Sequence, residues 1–255
     1  MEIVAPPHWR SIDFISDLHL HSSEPATLEL LSGYLDRTTA NALFILGDLF
    51  EVWVGDDILL DAKSHESQVA ALIRRASERM DIFIMHGNRD FLMGSELMAA
   101  CNSQLVDDPS VLEFGQERWL LTHGDALCLE DHAYQQFRSV VRGDDWQREF
   151  LSKPLSERQS IVCGLRAKSE AIKRTAVAYV DVDETAAMHW LESNKARHMI
   201  HGHTHHPRTH ALGLLSQRWV LSDWDGAASP PRFEVLRMSL TDQGAVQVSR
   251  GTGVS

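Results

Sequence analysis

The sequence predicts an α/β fold built on a mixed sheet. Three observations carry that reading. Short apolar runs of strand length, rich in β-branched and aromatic residues, recur at 12–16, 42–46, 82–85, 119–122 and 198–200, each with a polar cluster and a glycine close behind. Leucine, isoleucine and valine at helical spacing fill the intervals between the first of these runs. Two pairs of runs separated by short polar turns read as hairpins, so antiparallel strands join the parallel ones.

Taken in order, 12–16 is a buried strand that ends at Asp17-Leu18-His19. Residues 24–35 follow as a helix with Leu28, Leu31 and Leu35 on one face. The run 42–46 is the next strand and ends at Gly47-Asp48, and 65–79 is a helix carrying Val69, Leu72 and Ile73. The strand at 82–85 enters His86-Gly87-Asn88-Arg89-Asp90. Residues 111–114, Gly115-Gln116 and 119–122 form a hairpin that delivers His123-Gly124-Asp125. The strand at 198–200 enters a histidine cluster, and 233–240 with 245–249 forms the last hairpin.

The 255 residues carry a net charge of −12, 44% hydrophobic residues, 3 Cys and 14 His. That length fits one large domain or a domain with an insertion. The apolar fraction excludes disorder, and the acidic balance argues against nucleic acid as a partner. Cys101, Cys128 and Cys163 have neither paired spacing nor an even count, which argues against a disulfide framework or a zinc ribbon and for a reducing cytosol. Residues 1–10 have no apolar run of signal-peptide length, and no stretch has the 18 or more uncharged apolar residues of a spanning helix. The expectation is a cytoplasmic protein, attached at most to a membrane surface.

Residues 131–180 differ in kind. They hold nine Lys and Arg against six acids, a net of +3, so the rest of the chain carries −15. Tyr134, Phe137 and Val141, then Trp146 and Phe150, then Ile161 and Leu165 fall at helical spacing. A helical insertion of opposite charge to its host is expected, packed on the core as an ordinary helical hairpin, laid on an anionic membrane, or both.

In α/β sheets ligands gather beyond the carboxyl ends of strands. Here those loops hold Asp17, His19, Asp48, Asn88, His123, His203 and His205. An Asp-x-His at a strand end places two donors on one side of an extended chain, and Gly202-His203-Thr204-His205 repeats the arrangement. The donors are nitrogen and oxygen without thiolate, which suits manganese, iron or zinc rather than a structural zinc site. They exceed the needs of one ion, and Asp48 has two oxygens to serve two ions roughly 3.5–4 Å apart. Alone, each piece reads as a turn or a surface pair; five in order, each after a strand, argue for a metal centre.

The order Asp17-x-His19, Gly47-Asp48, Gly87-Asn88-x-Asp90, His123-Gly124 and Gly202-His203-x-His205 resembles the calcineurin-like metallophosphoesterases. Longer pieces, Leu46-Gly-Asp-Leu-Phe50 through Trp53-Val-Gly-Asp-Asp57, His86-Gly-Asn-Arg-Asp-Phe91 and Tyr134-Gln-Gln-Phe-Arg138, are similar to the branch that acts in lipid A synthesis. The resemblance implies two mixed β-sheets sandwiched between helices, with a core of 1–130 and 181–255 and a helical cap inserted at 131–180. It implies two divalent ions, Mn2+ foremost: one held by Asp17, His19, Asp48 and His205, the other by Asp48, Asn88, His123 and His203. His201 then stands at the strand end, outside the ligand set.

The same resemblance implies hydrolysis of the pyrophosphate bond of an acylated UDP-sugar by water attack on the α-phosphate. Asn88, Arg89, Tyr134, Arg166, Ser169, Lys173 and His203 would contact substrate. Arg89 is a fixed positive fork for phosphate oxygens, since arginine gives up no proton, and His19 is a second catalytic candidate, to donate a proton or orient the leaving oxygen. The partners implied are a lipid-linked nucleotide sugar and the cytoplasmic face of the inner membrane, with a monomer favoured. The alternatives are a related phosphoesterase for soluble nucleotides or phosphoproteins and, since no ligand is missing, less readily a scaffold without chemistry.

Overall fold

A computed structural model of the chain describes residues 1–173 and 180–252, and of 166–173 the backbone alone. Among the described residues the strands are β1 (Glu2–Val4), β2 (Ser11–Ile15), β3 (Ala42–Leu46), β4 (Asp81–Met85), β5 (Gln104–Val106), β6 (Ser110–Phe114), β7 (Glu117–Thr122), β8 (His198–His201), β9 (Arg208–Leu212), β10 (Ser216–Val220), β11 (Val235–Leu240) and β12 (Val246–Gly251). The helices are α1 (Pro25–Arg37), α2 (His65–Ala76), α3 (Ser95–Cys101), α4 (His132–Val141), α5 (Asp144–Leu151), α6 (Leu155–Lys173) and α7 (Glu184–Ser193).

The strands form two mixed six-stranded sheets, ordered β1-β6-β7-β8-β10-β9 and β12-β11-β2-β3-β4-β5. In the second, β2 to β5 are parallel, while β11 runs antiparallel to both β2 and β12. Both hairpins expected from sequence, β6–β7 and β11–β12, are present.

Strand periodicity decides the layers. In β3 every residue is buried, because Ala42, Phe44 and Leu46 face the other sheet while Leu43 and Ile45 face the helices. Phe14, Phe44 and Phe83 lie directly opposite one another on three neighbouring strands. Their rings stack at centroid distances of 5.3 and 4.5 Å, a cross-strand ladder that anchors the register. Helices α1, α2 and α3 cover the outer face of this sheet, and α7 covers the outer face of the other. Inside the first layer the Asp13 carboxylate, fully buried, accepts from Tyr34, Thr38 and both Nε and Nη2 of Arg237.

Helices α4, α5 and α6 occupy the stretch where the insertion was expected. The basic residues there do not make a single outward face. Arg138 Nε donates to Asp125, Arg142 Nη2 donates to the Gly87 carbonyl at 2.8 Å, and Arg158 is buried against Val54 and Asp57. Arg174, with the side chains of Arg166, Lys168, Ser169 and Lys173, lies outside the described residues. No helix among the described residues is long and apolar enough to cross a membrane.

Candidate metal centre

Strands β2, β3, β4, β7 and β8 all end at one edge of the sandwich, and the loop after each delivers a group to one place. Backbone bonds lock the loops together: Asp17 N donates to Gly47 O, His19 N to Asp48 O, Gly202 N to His123 O and Trp224 N to Asp17 O. Asp17, His19, Asp48, His203 and His205 have φ between 49° and 64°. Non-glycine residues rarely adopt that left-handed region, and its concentration here marks a backbone shaped around the side chains.

Glycines make the packing possible. A Cβ on Gly202 would fall 2.4 Å from Asp17 Oδ2 and from Ser16 Oγ, and one on Gly47 2.5 Å from His123 Nδ1. No larger residue fits between these loops.

The seven donors expected from the sequence come together in two overlapping groups. His19 Nε2 and His205 Nε2 are 3.3 Å apart, and His205 Nε2 is 3.2 Å from Asp17 Oδ1. On the other side, His123 Nδ1 donates to the Leu46 carbonyl at 2.9 Å. That bond turns His123 Nε2 to Asn88 Oδ1 at 2.9 Å and to Asp48 Oδ2 at 3.7 Å. His203 Nδ1 meets the same Asn88 oxygen at 2.9 Å. One oxygen or nitrogen from each of Asp17, His19 and His205, and likewise of Asp17, Asp48 and His123, lies within 4.8 Å of the others. Nitrogen and oxygen donors this close, with Asp17, Asp48 and His123 buried, fit divalent cations.

Electrostatics reflect the crowding. Burial pushes His123 down, but the charges of Asp48, Asp17 and Asp125 outweigh it and hold the imidazole up at about 9. Burial and the neighbouring His123 push His203 down to about 4. Burial pushes Asp17 up, yet the bond from His205 and the charges of His123, His205 and His19 hold it far below the usual carboxylate range. A cation held there would compete with the His123 proton.

Arg89 sits at the mouth, 27% of its side chain exposed, with Nη1 donating to Glu51 and Nε 3.7 Å from Asp48 Oδ2. Tyr134 lies with its ring 6.1 Å from that of His203, and its hydroxyl donates to Asp125. His201 ends β8 outside the donor set; Nδ1 donates to the Gly202 carbonyl at 2.8 Å, and Nε2 faces Arg218 Nη1 at 3.3 Å.

Several residues in the motifs turn out to be supports. Asp90 accepts from the backbone N–H of Leu49, Phe50 and Gly87 and so joins two loops; burial and the nearby Asp48 push its carboxyl up to about 6. Asp56 accepts from Gly94, Glu96 and Leu97, capping the start of α3, and Asp57 binds Arg158. Asp125 ties Tyr134 and Arg138 of α4 to the loop of His123. Glu51 and Asp223 approach His19 and His205 with no signal in the sequence beyond being acids near a strand end.

The two-sheet sandwich and this nitrogen and oxygen donor set at its strand ends fit the class of metallophosphoesterases. The pattern described as calcineurin-like phosphoesterase matches residues 10–207, and the chain belongs to that family. It is similar to proteins named UDP-2,3-diacylglucosamine hydrolase. That of Chromobacterium violaceum is 44% identical over 85% of this chain and 91% of the relative. The Bordetella pertussis protein of the same name is 41% identical over 85% and 87%, and the Ralstonia nicotianae one 42% identical over 88% and 88%.

Proposed function

We propose that this chain hydrolyses the pyrophosphate bond of UDP-2,3-diacylglucosamine, giving UMP and 2,3-diacylglucosamine 1-phosphate in lipid A biosynthesis. The observation that carries the reading is the convergence of Asp17, His19, Asp48, Asn88, His123, His203 and His205, with Arg89 at their open side. The names borne by relatives above 40% identity support the substrate.

Asp17, His19, Asp48 and His205 would hold one Mn2+, and Asp48, Asn88, His123 and His203 the other. Divalent ions, when bound there, supply Lewis acidity and a hydroxide nucleophile near neutral pH. Arg89 meets charge growing on the α-phosphoryl oxygens as a fixed cation that cannot act as an acid. The leaving sugar 1-phosphate is a stable anion and needs little proton donation, which leaves His19 an orienting role.

Residues 131–180 act as the cap over the acyl chains and the sugar phosphate, with Tyr134, Arg166, Ser169 and Lys173 as contacts. Phe137, Val140, Leu151 and Leu165 are exposed apolar side chains on its helices. They suit an acyl chain or the headgroup boundary of the inner membrane's cytoplasmic face, where a monomer would work without nucleic acid.

The test is release of UMP by purified protein with Mn2+ from UDP-2,3-diacylglucosamine, beside a generic phosphodiester and a dinucleotide. A strong preference for the lipid-linked substrate is expected, and comparable rates on all three would overturn the assignment.

A further inference from the structure

The histidines of the centre differ in what stands behind the nitrogen turned away from it. His19 and His205 direct Nε2 inward, toward each other and Asp17. Their Nδ1 atoms each approach a carboxylate as a close charge contact rather than a formed hydrogen bond: Glu51 Oε2 lies 3.3 Å from His19 Nδ1, nearer than Asp48 Oδ2 at 3.9 Å, and Asp223 Oδ2 lies 3.8 Å from His205 Nδ1. His123, by contrast, rests on the Leu46 carbonyl.

Both carboxylates are themselves held. Arg89 Nη1 donates to Glu51 Oε1, leaving Oε2 toward His19. Arg232 grips Asp223 with two parallel bonds, Nε to Oδ1 at 2.9 Å and Nη2 to Oδ2 at 2.7 Å. The two carboxylate side chains are 15% and 13% exposed, so their geometry is built rather than left to solvent. The pattern, arginine to carboxylate to imidazole, occurs twice around one donor group.

We propose that Glu51 and Asp223 are positioning residues that keep His19 and His205 in the Nδ1–H tautomer, so that both Nε2 lone pairs point at the ion shared with Asp17. The inference rests on the metal-centre reading above and adds two residues outside its ligand set. A carboxylate behind a ligating imidazole fixes the ring and raises its basicity, and its removal typically costs 10- to 100-fold in metal affinity.

The experiment uses the full chain, stripped of metal and titrated with Mn2+ by calorimetry, together with imidazole 15N spectra of the diamagnetic Zn2+-loaded form. Asp223→Asn and Glu51→Gln should each weaken one ion about 10- to 100-fold and leave the other unchanged, with Asp223→Glu recovering most of the loss. The unaltered Zn2+ form should show the Nδ1–H tautomer at both His19 and His205, a readout that needs no variant to fold. Unchanged affinities in both variants, or an Nε2–H tautomer at either histidine, would overturn the positioning role. Failure of the unaltered chain to bind Mn2+ at all would overturn the metal-centre reading itself.

Discussion

Gly87→Ala is the sharpest test of how the loops are packed. Gly87 does not have a left-handed backbone, so alanine meets no conformational objection and the effect is steric alone. Its Cβ would fall 2.1 Å from Asp48 Oδ1 and 2.2 Å from Asp48 N. Ordinary contact begins near 3.4 Å, so the two loops must part by roughly 1.2 Å at the backbone atom. Neither can slide freely, because Gly87 N donates to Asp90, Gly87 O accepts from Arg142, and Asp48 Oδ1 accepts from Arg89 N.

Overpacking of this kind costs about 1–3 kcal/mol. At about 2–4 °C per kcal/mol for a chain this long, calorimetry should show the melting temperature fall by about 2–12 °C. A displacement near 1 Å at such a centre costs on the order of 100-fold in rate, read as release of UMP from the proposed substrate in the presence of Mn2+. Gly164→Ala is the internal control: nothing lies within 4 Å of its added Cβ on α6, and it should be neutral or stabilising by about 0.5–1 kcal/mol. A Gly87→Ala protein with unaltered melting and turnover would refute the packing argument.

Two further outcomes follow from the polar interior. Asp13→Ala leaves Arg237 and Tyr34 without their buried acceptor and should cost about 3–5 kcal/mol in urea denaturation; a loss below about 1 kcal/mol would count against the buried pair. Hydrogen bonds from Arg218 hold the Asp181 carboxyl down at about 2. A depressed carboxylate contributes stability that is present above its ordinary pKa and lost as pH falls, so the gap in stability between the unaltered chain and Asp181→Asn should shrink between about pH 4 and 2. A gap that does not change with pH would dismiss that coupling.

Much of the centre was legible because its signals are short-range. Asp17 and His19, Gly47 and Asp48, Gly87 and Asn88, and His203 and His205 each sit within a few residues of the end of an apolar run, and a buried parallel strand points its C-terminal loop at one edge of the sheet. The edge strands β1 and β5 were not legible, since three residues carry no period and their pairing with β6 and β4 is decided by the neighbour. Nor was the inward turn of Arg138, Arg142 and Arg158, because charge counted along a sequence says nothing about which face of a helix meets the core.

The sequence by itself determined the α/β class and which nitrogen- and oxygen-bearing residues follow each strand: apolar period, glycine spacing and residue type are local properties. Only the tertiary structure decided what holds those donors. Asp90 reaches Leu49, Arg142 reaches Gly87, and Asp223 reaches His205. Asp90 and Arg142 cross intervals of 41 and 55 residues. Contacts of that kind are set by strand order and register, where a shift of one residue would turn each side chain to the opposite face.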